Sequence, residues 1–177
     1  MDKPNSLREH LLAAVPGLKP NPDRLLMFVD AGKVRCTAAA SLSFEYAYTL
    51  QIILTDFAGH PDSVMLPILG WIRTHQTELM VNLEKSADGI KFEADILDNS
   101  KVDMSITLAL TERVVVKRQD DGKFQVAHAP DQPYEPFVEH GPITVYAGDE
   151  LVAQWQPPAP SDTMALAATH PRRPTHG

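Results

Sequence analysis

The stretch that decides the fold runs from Ser43 to Gln76 and reads SFEYAYTLQIILTDFAGHPDSVMLPILGWIRTHQ. In its first half, apolar residues occupy every second position from Phe44 to Leu54, and the positions between them are mostly polar. A period of two predicts a long β-strand with one apolar face. The second half predicts a helix, because apolar residues recur there at helical spacing at Val64, Ile68 and Ile72.

The junction between strand and helix contains His60-Pro61-Asp62, the tripeptide with which J-domain co-chaperones stimulate their partner ATPase. That activity requires a helix on each side of the tripeptide, whereas here a strand precedes it. Pro61 suits a first helical turn, since its missing N–H would have no partner there. We therefore expect His60 or Asp62 to cap the helix. Pro67 lies inside the same helix and is expected to bend its axis.

Two further segments, 90–97 and 102–110, alternate in the same way and are joined by Asn99-Ser100. They predict a long hairpin with one buried face. Upstream, Ser6 and Glu9 have the S-x-x-E spacing of a capping box, which predicts the start of a short helix. Ala31-Gly32 is interpreted as a hairpin turn between two strands.

The composition changes from Ala129 onward, where prolines become frequent and the alternation is lost until residue 142. We therefore divide the chain into a core domain at 1–128, an extended arm and β-hairpin at 129–156, and a Pro-rich, flexible tail at 157–177. The fold class is α+β: a long sheet, antiparallel or mixed, packed by one or two helices. With 177 residues the chain suits one domain and a tail.

Composition and charge exclude several classes of protein. A hydrophobic fraction of 44% excludes a wholly disordered chain, and the longest apolar run is too short to span a bilayer. The start of the sequence has no signal-peptide core, so we expect synthesis in a cytoplasm. The single cysteine, Cys36, is interpreted as a buried structural thiol rather than a reactive nucleophile. A net charge of -7 opposes general binding to nucleic-acid phosphates.

The sequence contains few candidates for a catalytic or metal-binding motif. The 7 histidines are scattered without metal-ligand spacing, and there is no G-x-S-x-G, phosphate loop or dinucleotide fingerprint. Divalent ion binding is an alternative to capping for Asp56, His60 and Asp62. The densest acidic group is more simply a polar strand face than a catalytic pair; it comprises Glu93, Asp95, Asp98 and Asp103. We predict no enzyme, no cofactor and no metal site.

Four blocks of the sequence resemble one known family: NPDRLLMFVDAGKV, SLSFEYAYTLQIILTDFAGHPD, ILGWIRTHQTEL and DMSITLALTERVVVK. In this order they are similar to the tail completion protein R family of temperate phages with contractile tails. The resemblance covers Lys3 to Arg118, and the residues from Ala129 onward are not placed by it. The blocks carry no catalytic motif.

The resemblance implies a structural protein that caps the head-proximal end of the tail tube as a ring, usually a hexamer, and prepares the tail for head attachment. Its partners would be other copies of itself, the tail tube protein, the sheath and the head-neck connector proteins. No membrane or sequence-specific nucleic acid is expected, although DNA passes through such a ring. The protein would be assembled in the host cytoplasm and reside in the virion tail.

Two alternatives stay open at this point: a head-side neck connector, which binds the portal complex, and an assembly chaperone that is absent from finished particles. For the ring contacts we predict the arm and the hairpin, because a proline-rich arm with aromatic residues needs a neighbour to pack against. The predicted interface residues are Tyr134, Phe137, Ile143, Val145 and Trp155.

Overall fold

The fold is known from a computed structural model that describes residues 1–36, 41–98, 101–129 and 141–157. Tyr134 and Phe137, most of the predicted arm and the tail after residue 157 lie outside the described residues. The division of the chain into three parts therefore stays a prediction.

The elements follow one another along the chain as helix, two strands, three helices and five strands. Their bounds are α1 Lys3–Ala14, a short 3-10 turn Pro22–Arg24, β1 Leu25–Cys36, β2 Phe44–Phe57, α2 Asp62–His75, α3 Glu78–Val81, α4 Leu83–Gly89, β3 Ile90–Asp98, β4 Lys101–Arg118, β5 Phe124–His128, β6 Ile143–Ala147 and β7 Glu150–Trp155. The predicted strand-to-helix stretch is confirmed as β2 and α2, and the predicted long hairpin as β3 and β4.

The main sheet has the order β1-β2-β4-β3, and every pair is antiparallel. β5 also pairs with β4, on the same edge as β3, because Val114 of β4 is paired with Phe44 of β2 on one side and with His128 of β5 on the other. The five residues between these pairings, 109–113, have no strand beside them on that edge. The α+β class is confirmed, and the sheet is antiparallel rather than mixed.

The core lies between one face of the sheet and the first two helices. Even-numbered positions of β2 and β4 face each other across the pair, as in Leu50 opposite Leu108 and Ile52 opposite Ile106, and all four are fully buried. The helices contribute Leu7 and Leu11 of α1 and Val64, Ile68 and Ile72 of α2 to the same cluster. Burial of this many large aliphatic side chains, at about 1.5–3 kcal/mol each, is the main stabilising contribution.

β6 and β7 form a separate hairpin that lies on the two helices instead of joining the main sheet. Gly70 of α2 allows this contact, since a Cβ built there would lie 2.9 Å from Cζ2 of the Trp155 ring. His10 of α1 makes an edge-on contact with the same ring at 6.1 Å between ring centroids. The helices are therefore covered by sheet on one side and by the hairpin on the other.

The predicted capping box is wrong. α1 begins at Lys3, with Asp2 as its N-cap, so Ser6 lies within the helix. The Ser6 hydroxyl accepts a hydrogen bond from the indole N–H of Trp71 at 3.1 Å and thereby joins α1 to α2. Ser6 therefore makes a tertiary contact and Glu9 is exposed, so their S-x-x-E spacing does not mark a helix cap. Pro4 in the first turn was the better signal of the helix start.

The predicted hairpin turn at Ala31-Gly32 is also wrong. β1 runs through these residues without reversing, and its pairing with β2 shifts register between Asp30 and Lys33. This irregularity is a β-bulge, and Ala31 takes a left-handed backbone with φ 47° to form it. A small residue followed by glycine fits a bulge as well as a turn, because both need an unusual backbone conformation.

The predicted burial of the β3 face is wrong as well. Phe92 and Ile96 point to the same side of the sheet as Ile106 and Val102 of β4, yet they are 64% and 83% exposed. The core cluster contains residues of β2 and β4, and Ile90 at the start of β3 packs against it, whereas Phe92 and Ile96 do not. The alternating pattern was correct for the strand and did not reveal whether anything covers its apolar side.

Candidate functional site

The acidic and histidine residues singled out from the sequence lie in separate local contacts in the described part of the structure. In the described part of the chain, no group of three or more His, Cys, Asp and Glu is close enough to hold a metal ion. Asp56 takes a left-handed backbone with φ 51° at a register shift of β2. Its N–H donates to Oδ1 of Asp103 at 2.8 Å, and its carboxylate lies 3.5 Å from Lys101 Nζ.

His60 does act at the start of α2. Its Nδ1 accepts from the backbone N–H of Asp62 at 3.2 Å and lies 3.3 Å from the Asp62 carboxylate. Pro61 occupies the N-cap position and makes no capping side-chain bond. Capping chemistry therefore accounts for His60, and it needs no ion.

Glu93, Asp95 and Asp103 of the predicted acidic group lie on the side of the sheet away from α1 and α2. Glu93 is opposite Ser105, Asp95 is opposite Asp103, and Asp98 ends β3. Directly opposed like charges destabilise a strand pair. Asp103 also accepts a hydrogen bond from the backbone N–H of Asp56. We therefore interpret these carboxylates as part of the local strand structure rather than as a general acid and base.

A buried polar group that the sequence did not reveal closes the gap between β3 and β5. The side chain of Gln76 is 4% exposed; its Oε1 accepts from the Thr111 N–H at 3.1 Å and from Lys3 Nζ at 2.8 Å. Its Nε2 donates to Thr111 Oγ1 at 3.0 Å and to Glu78 at 2.9 Å. The amide thus takes the place of a neighbouring strand at the edge of β4.

A second buried polar residue, Glu112, lies within the apolar row of β4, between Leu110 and Val114, and is 4% exposed. It accepts hydrogen bonds from the Tyr48 hydroxyl and, at 2.8 Å, from the backbone N–H of Asp2 at the start of α1. Nδ1 of His128 lies 3.0 Å away. Burial raises the pKa of Glu112, but the two hydrogen bonds and the nearby positive charges outweigh it, so the pKa is lowered.

A pocket of about 360 Å³ lies between the short helices α3 and α4 and the outer face of the sheet. Its walls are Ala47, Thr49, Ala109 and Thr111 on the sheet and Glu78, Lys85 and Asp88 on the helices. Glu78 and Lys85 form an ion pair, and this hydrogen bond is the largest cause of the lowered pKa of Glu78. Asp88 is paired with Lys91 beside the pocket, while Lys33 and Glu84, which also line it, have no ion pair within the described residues.

The most distinctive surface consists of the two outer strands of the sheet. Within the described residues, no strand pairs on the outer edge of β1 or of β3. In β1 every residue from Phe28 to Cys36 is exposed, so the predicted burial of Cys36 is wrong. In β3 every residue from Lys91 to Ile96 is exposed. Free edges with exposed apolar residues are usually protected in stable proteins, because they pair readily with another strand.

The hairpin holds three of the predicted interface residues. Ile143 is opposite Trp155 and Val145 is opposite Ala153, so these four share one face, and Ala153 is fully buried. Ile143, Val145 and Trp155 are half-buried, and Trp155 faces the helices of its own chain. The exposed apolar residues of the hairpin are instead Tyr146 at 62% and Leu151 at 42%. The interface assignment itself stays a prediction.

None of the described helices has the length and hydropathy that crossing a bilayer requires. The described residues thus form an α+β domain whose outer strands β1 and β3 have free edges and whose buried side-chain polar atoms all have hydrogen-bond partners. The comparison with known families shows the class of protein to which this domain belongs. Residues 1–133 match the model of the P2 phage tail completion protein R (GpR) family, and the chain belongs to this family.

A curated relative, "Tail completion protein R" of Escherichia phage P2, is 45% identical over 156 residues, which are 88% of this chain and 99% of the relative. No solved structure matches the chain significantly. The predicted family and the structural role in phage tail completion are thus confirmed. The family match ends at residue 133, so it includes the whole main sheet and excludes the β6–β7 hairpin.

Proposed function

We propose that this tail completion protein caps the head-proximal end of the tail tube as a ring and prepares the tail for attachment of the filled head. The observation that carries the proposal is the 45% identity to a tail completion protein over nearly the full length of that relative. The two free sheet edges support it, since a ring needs two different contact surfaces on each copy.

The partners follow from this position in the particle. Other copies of the chain, in a hexameric ring, would contact the two sides of each subunit, and the tail tube protein and sheath would contact one end. The head-neck connector proteins would bind the opposite end. Assembly takes place in the host cytoplasm, and the finished protein resides in the virion tail.

The hairpin and the residues around it are proposed to take part in these contacts. Trp155 of β7 holds the hairpin on α1 and α2, Ile143 and Val145 lie on the same face of the hairpin, and Tyr146 and Leu151 are exposed. Deletion of residues 130–177 is expected to leave a folded sheet domain that no longer joins the tail. Normal incorporation of the truncated protein into tails would contradict this role.

DNA has to pass through such a ring. The net charge of -7 supports a lumen that repels phosphate rather than binding it. Reversal of the acidic residues that line the lumen to lysine is expected to slow DNA ejection. Unchanged ejection kinetics would count against this part of the proposal.

The experiment that tests the proposed function is complementation in vitro. Purified protein is added to a lysate of cells infected with a phage that lacks it, infectious particles are counted, and tails are imaged. Recovered infectivity with new density at the head-proximal tail end is the expected result. Protein bound to heads would favour a neck connector, and recovery without the protein in purified particles, measured by mass spectrometry, would favour an assembly chaperone.

A further inference from the structure

The outer strands of the sheet are complementary to each other in direction. Neighbouring strands alternate in direction across the order β1-β2-β4-β3, so β3 runs antiparallel to β1. If a second copy stands beside β3 in the same orientation, its β1 continues this alternation. The α1 and α2 helices of both copies then lie on the same side of one continuous sheet.

The two edges are also complementary in charge. On the side away from α1 and α2, β1 presents Lys33 and Arg35, which are opposite Ala47 and Glu45 of β2. On the same side β3 presents Glu93 and Asp95. Arg35 lies 3.7 Å from Glu45 and is 78% exposed, and Lys33, Glu93 and Asp95 have no ion pair within the described residues.

These charges favour one kind of contact over two others. Two β3 strands paired with each other around Ala94 would set Glu93 against Asp95, and two β1 strands paired around Val34 would set Lys33 against Arg35. Like charges directly opposite each other destabilise a strand pair. The edges therefore disfavour pairing with themselves and favour the head-to-tail contact of β3 with β1.

We propose that β3 of one copy pairs antiparallel with β1 of a second copy, with Ala94 opposite Val34. In this register Asp95 lies opposite Lys33 and Glu93 opposite Arg35, so both acidic residues gain a cation. Lys33 also approaches the uncompensated pair of Asp95 and Asp103.

Other registers are poorer. If β1 is shifted by two residues so that Arg35 lies opposite Lys91, two like charges face each other. If it is shifted by two residues the other way, Arg35 lies opposite Asp95, and this is the ion pair that remains. A shift by one residue turns every side chain to the wrong side of the sheet. The charges thus select the register as well as the pairing.

The apolar side of the same contact agrees with this register. Phe92 and Ile96 of β3 are 64% and 83% exposed on the helix side of the sheet, and Val34 of β1 is 63% exposed on that side. Pairing brings Phe92 opposite Cys36, which is also exposed, and places Val34 between Phe92 and Ile96. The contact would bury side chains that nothing in the described chain covers.

This inference rests on the proposed ring, and it states which surfaces form it. A head-to-tail contact repeats around a cyclic assembly until the last β3 edge meets the first β1 edge. The β1 and β3 edges are then paired in every copy.

The lone cysteine allows a direct test. Residues directly opposite in an antiparallel pair have Cα atoms about 4.5–5.5 Å apart, within the range that a disulfide spans. The Phe92→Cys variant is expected to form a ladder of disulfide-linked oligomers with Cys36 when tails complemented with it are oxidised. The double variant Phe92→Cys, Cys36→Ser should give none.

The matched control is Ile96→Cys, which is on the same strand and side but opposite Gly32. It lies about 13 Å along the strand from Cys36 and should not be linked. Two outcomes would overturn the edge pairing and leave the proposed function standing. One is equal linking of both variants, and the other is the absence of a ladder from Phe92→Cys in infectious tails that contain this variant. Absence of the wild-type protein from complemented tails would instead overturn the proposed function.

A charge exchange keeps the proposal testable if the cysteine variants do not fold. Lys33→Glu and Asp95→Lys should each lower incorporation into tails by at least about tenfold, since a like-charge contact repeats at every interface. The two changes together should restore most of it. A double variant that is no better than either single variant, with normal folding by circular dichroism, would refute the register.

Discussion

Gln76 pairs with Thr111 as a neighbouring strand would. Its side-chain oxygen accepts from the Thr111 N–H at 3.1 Å, and its nitrogen donates to the Thr111 hydroxyl at 3.0 Å. The same oxygen accepts from the ammonium group of Lys3, which also donates to the His75 carbonyl. One glutamine therefore joins the first helix, the end of α2 and the exposed part of the β4 edge.

We expect Gln76→Ala to lower the free energy of unfolding by at least about 2 kcal/mol, because it leaves a buried ammonium group and a backbone N–H short of acceptors. Urea unfolding followed by circular dichroism measures the change. Gln51→Ala is the control, since its amide makes a long 3.4 Å contact with Ser105 and should cost below about 1 kcal/mol. Similar losses for both variants would show that Gln76 has no special role.

Glu112→Gln should destabilise the protein at neutral pH by about 1–3 kcal/mol, because the ionised carboxylate accepts from Tyr48 and from the start of α1. The pKa of Glu112 in the folded protein is lowered from the ordinary value of 4.5. Its contribution is therefore complete above that value and is lost as the pH falls through the lowered pKa.

The stability curves of wild type and Glu112→Gln should accordingly converge in acid. Thermal unfolding between pH 7 and pH 3 tests this, with Glu9→Gln, an exposed change on α1, as the control. A difference that stays constant down to the lowest pH would mean that the charge of Glu112 contributes nothing.

Gly70→Ala is expected to loosen the hairpin from the helices. Alanine favours the helix by about 1 kcal/mol over glycine, yet its Cβ would lie 2.9 Å from the Trp155 ring. Hydrogen exchange should therefore rise in residues 143–155 and not in α2. In a Trp155→Val background the same change should be neutral or stabilising, and a rise in exchange there would argue against the clash.

His10 should make the attachment of the hairpin depend on pH. Burial lowers its pKa and so does the charge of His75, while the hydrogen bond to the Pro67 carbonyl raises it, with a net lowering from 6.5. The neutral ring therefore stabilises the fold above 6.5, and this contribution is lost as the pH falls below that value.

His10→Gln keeps a donor for Pro67 and does not titrate, so its stability should vary less between pH 7.5 and pH 5.5 than that of wild type. Urea midpoints at the two pH values measure the difference. His60→Gln is the control, because His60 is 60% exposed and lies far from the hairpin contact in sequence. A wild-type pH dependence that survives His10→Gln would contradict the prediction.

The regular elements were predictable because their patterns are local. β2, β4 and α2 repeat apolar residues over ten or more positions, and tertiary contacts only reinforce such a signal. The errors arose where a short motif had two physical explanations. Ser6 fits a cap as well as a partner for Trp71, and Ala31-Gly32 fits a turn as well as a bulge.

The assembly surface was predictable only in part. The sequence shows that β3 has an apolar side, but whether a helix covers Phe92 depends on how many strands α1 and α2 span. The role of Gln76 could not be predicted from the sequence, because its partners Thr111 and Lys3 are 35 and 73 residues away in the chain. The burial of Glu112 could be predicted, since this charged residue occupies a position on the apolar side of β4.

β4 is 18 residues long, which corresponds to about 60 Å of extended chain. One end of the strand carries β3, the other carries β5, and the helices cover the part between them. No loop interrupts it. A molecule that binds near β3 and one that binds near β5 would therefore be held at a fixed separation by a single uninterrupted strand, so the protein can set a distance between two levels of the particle.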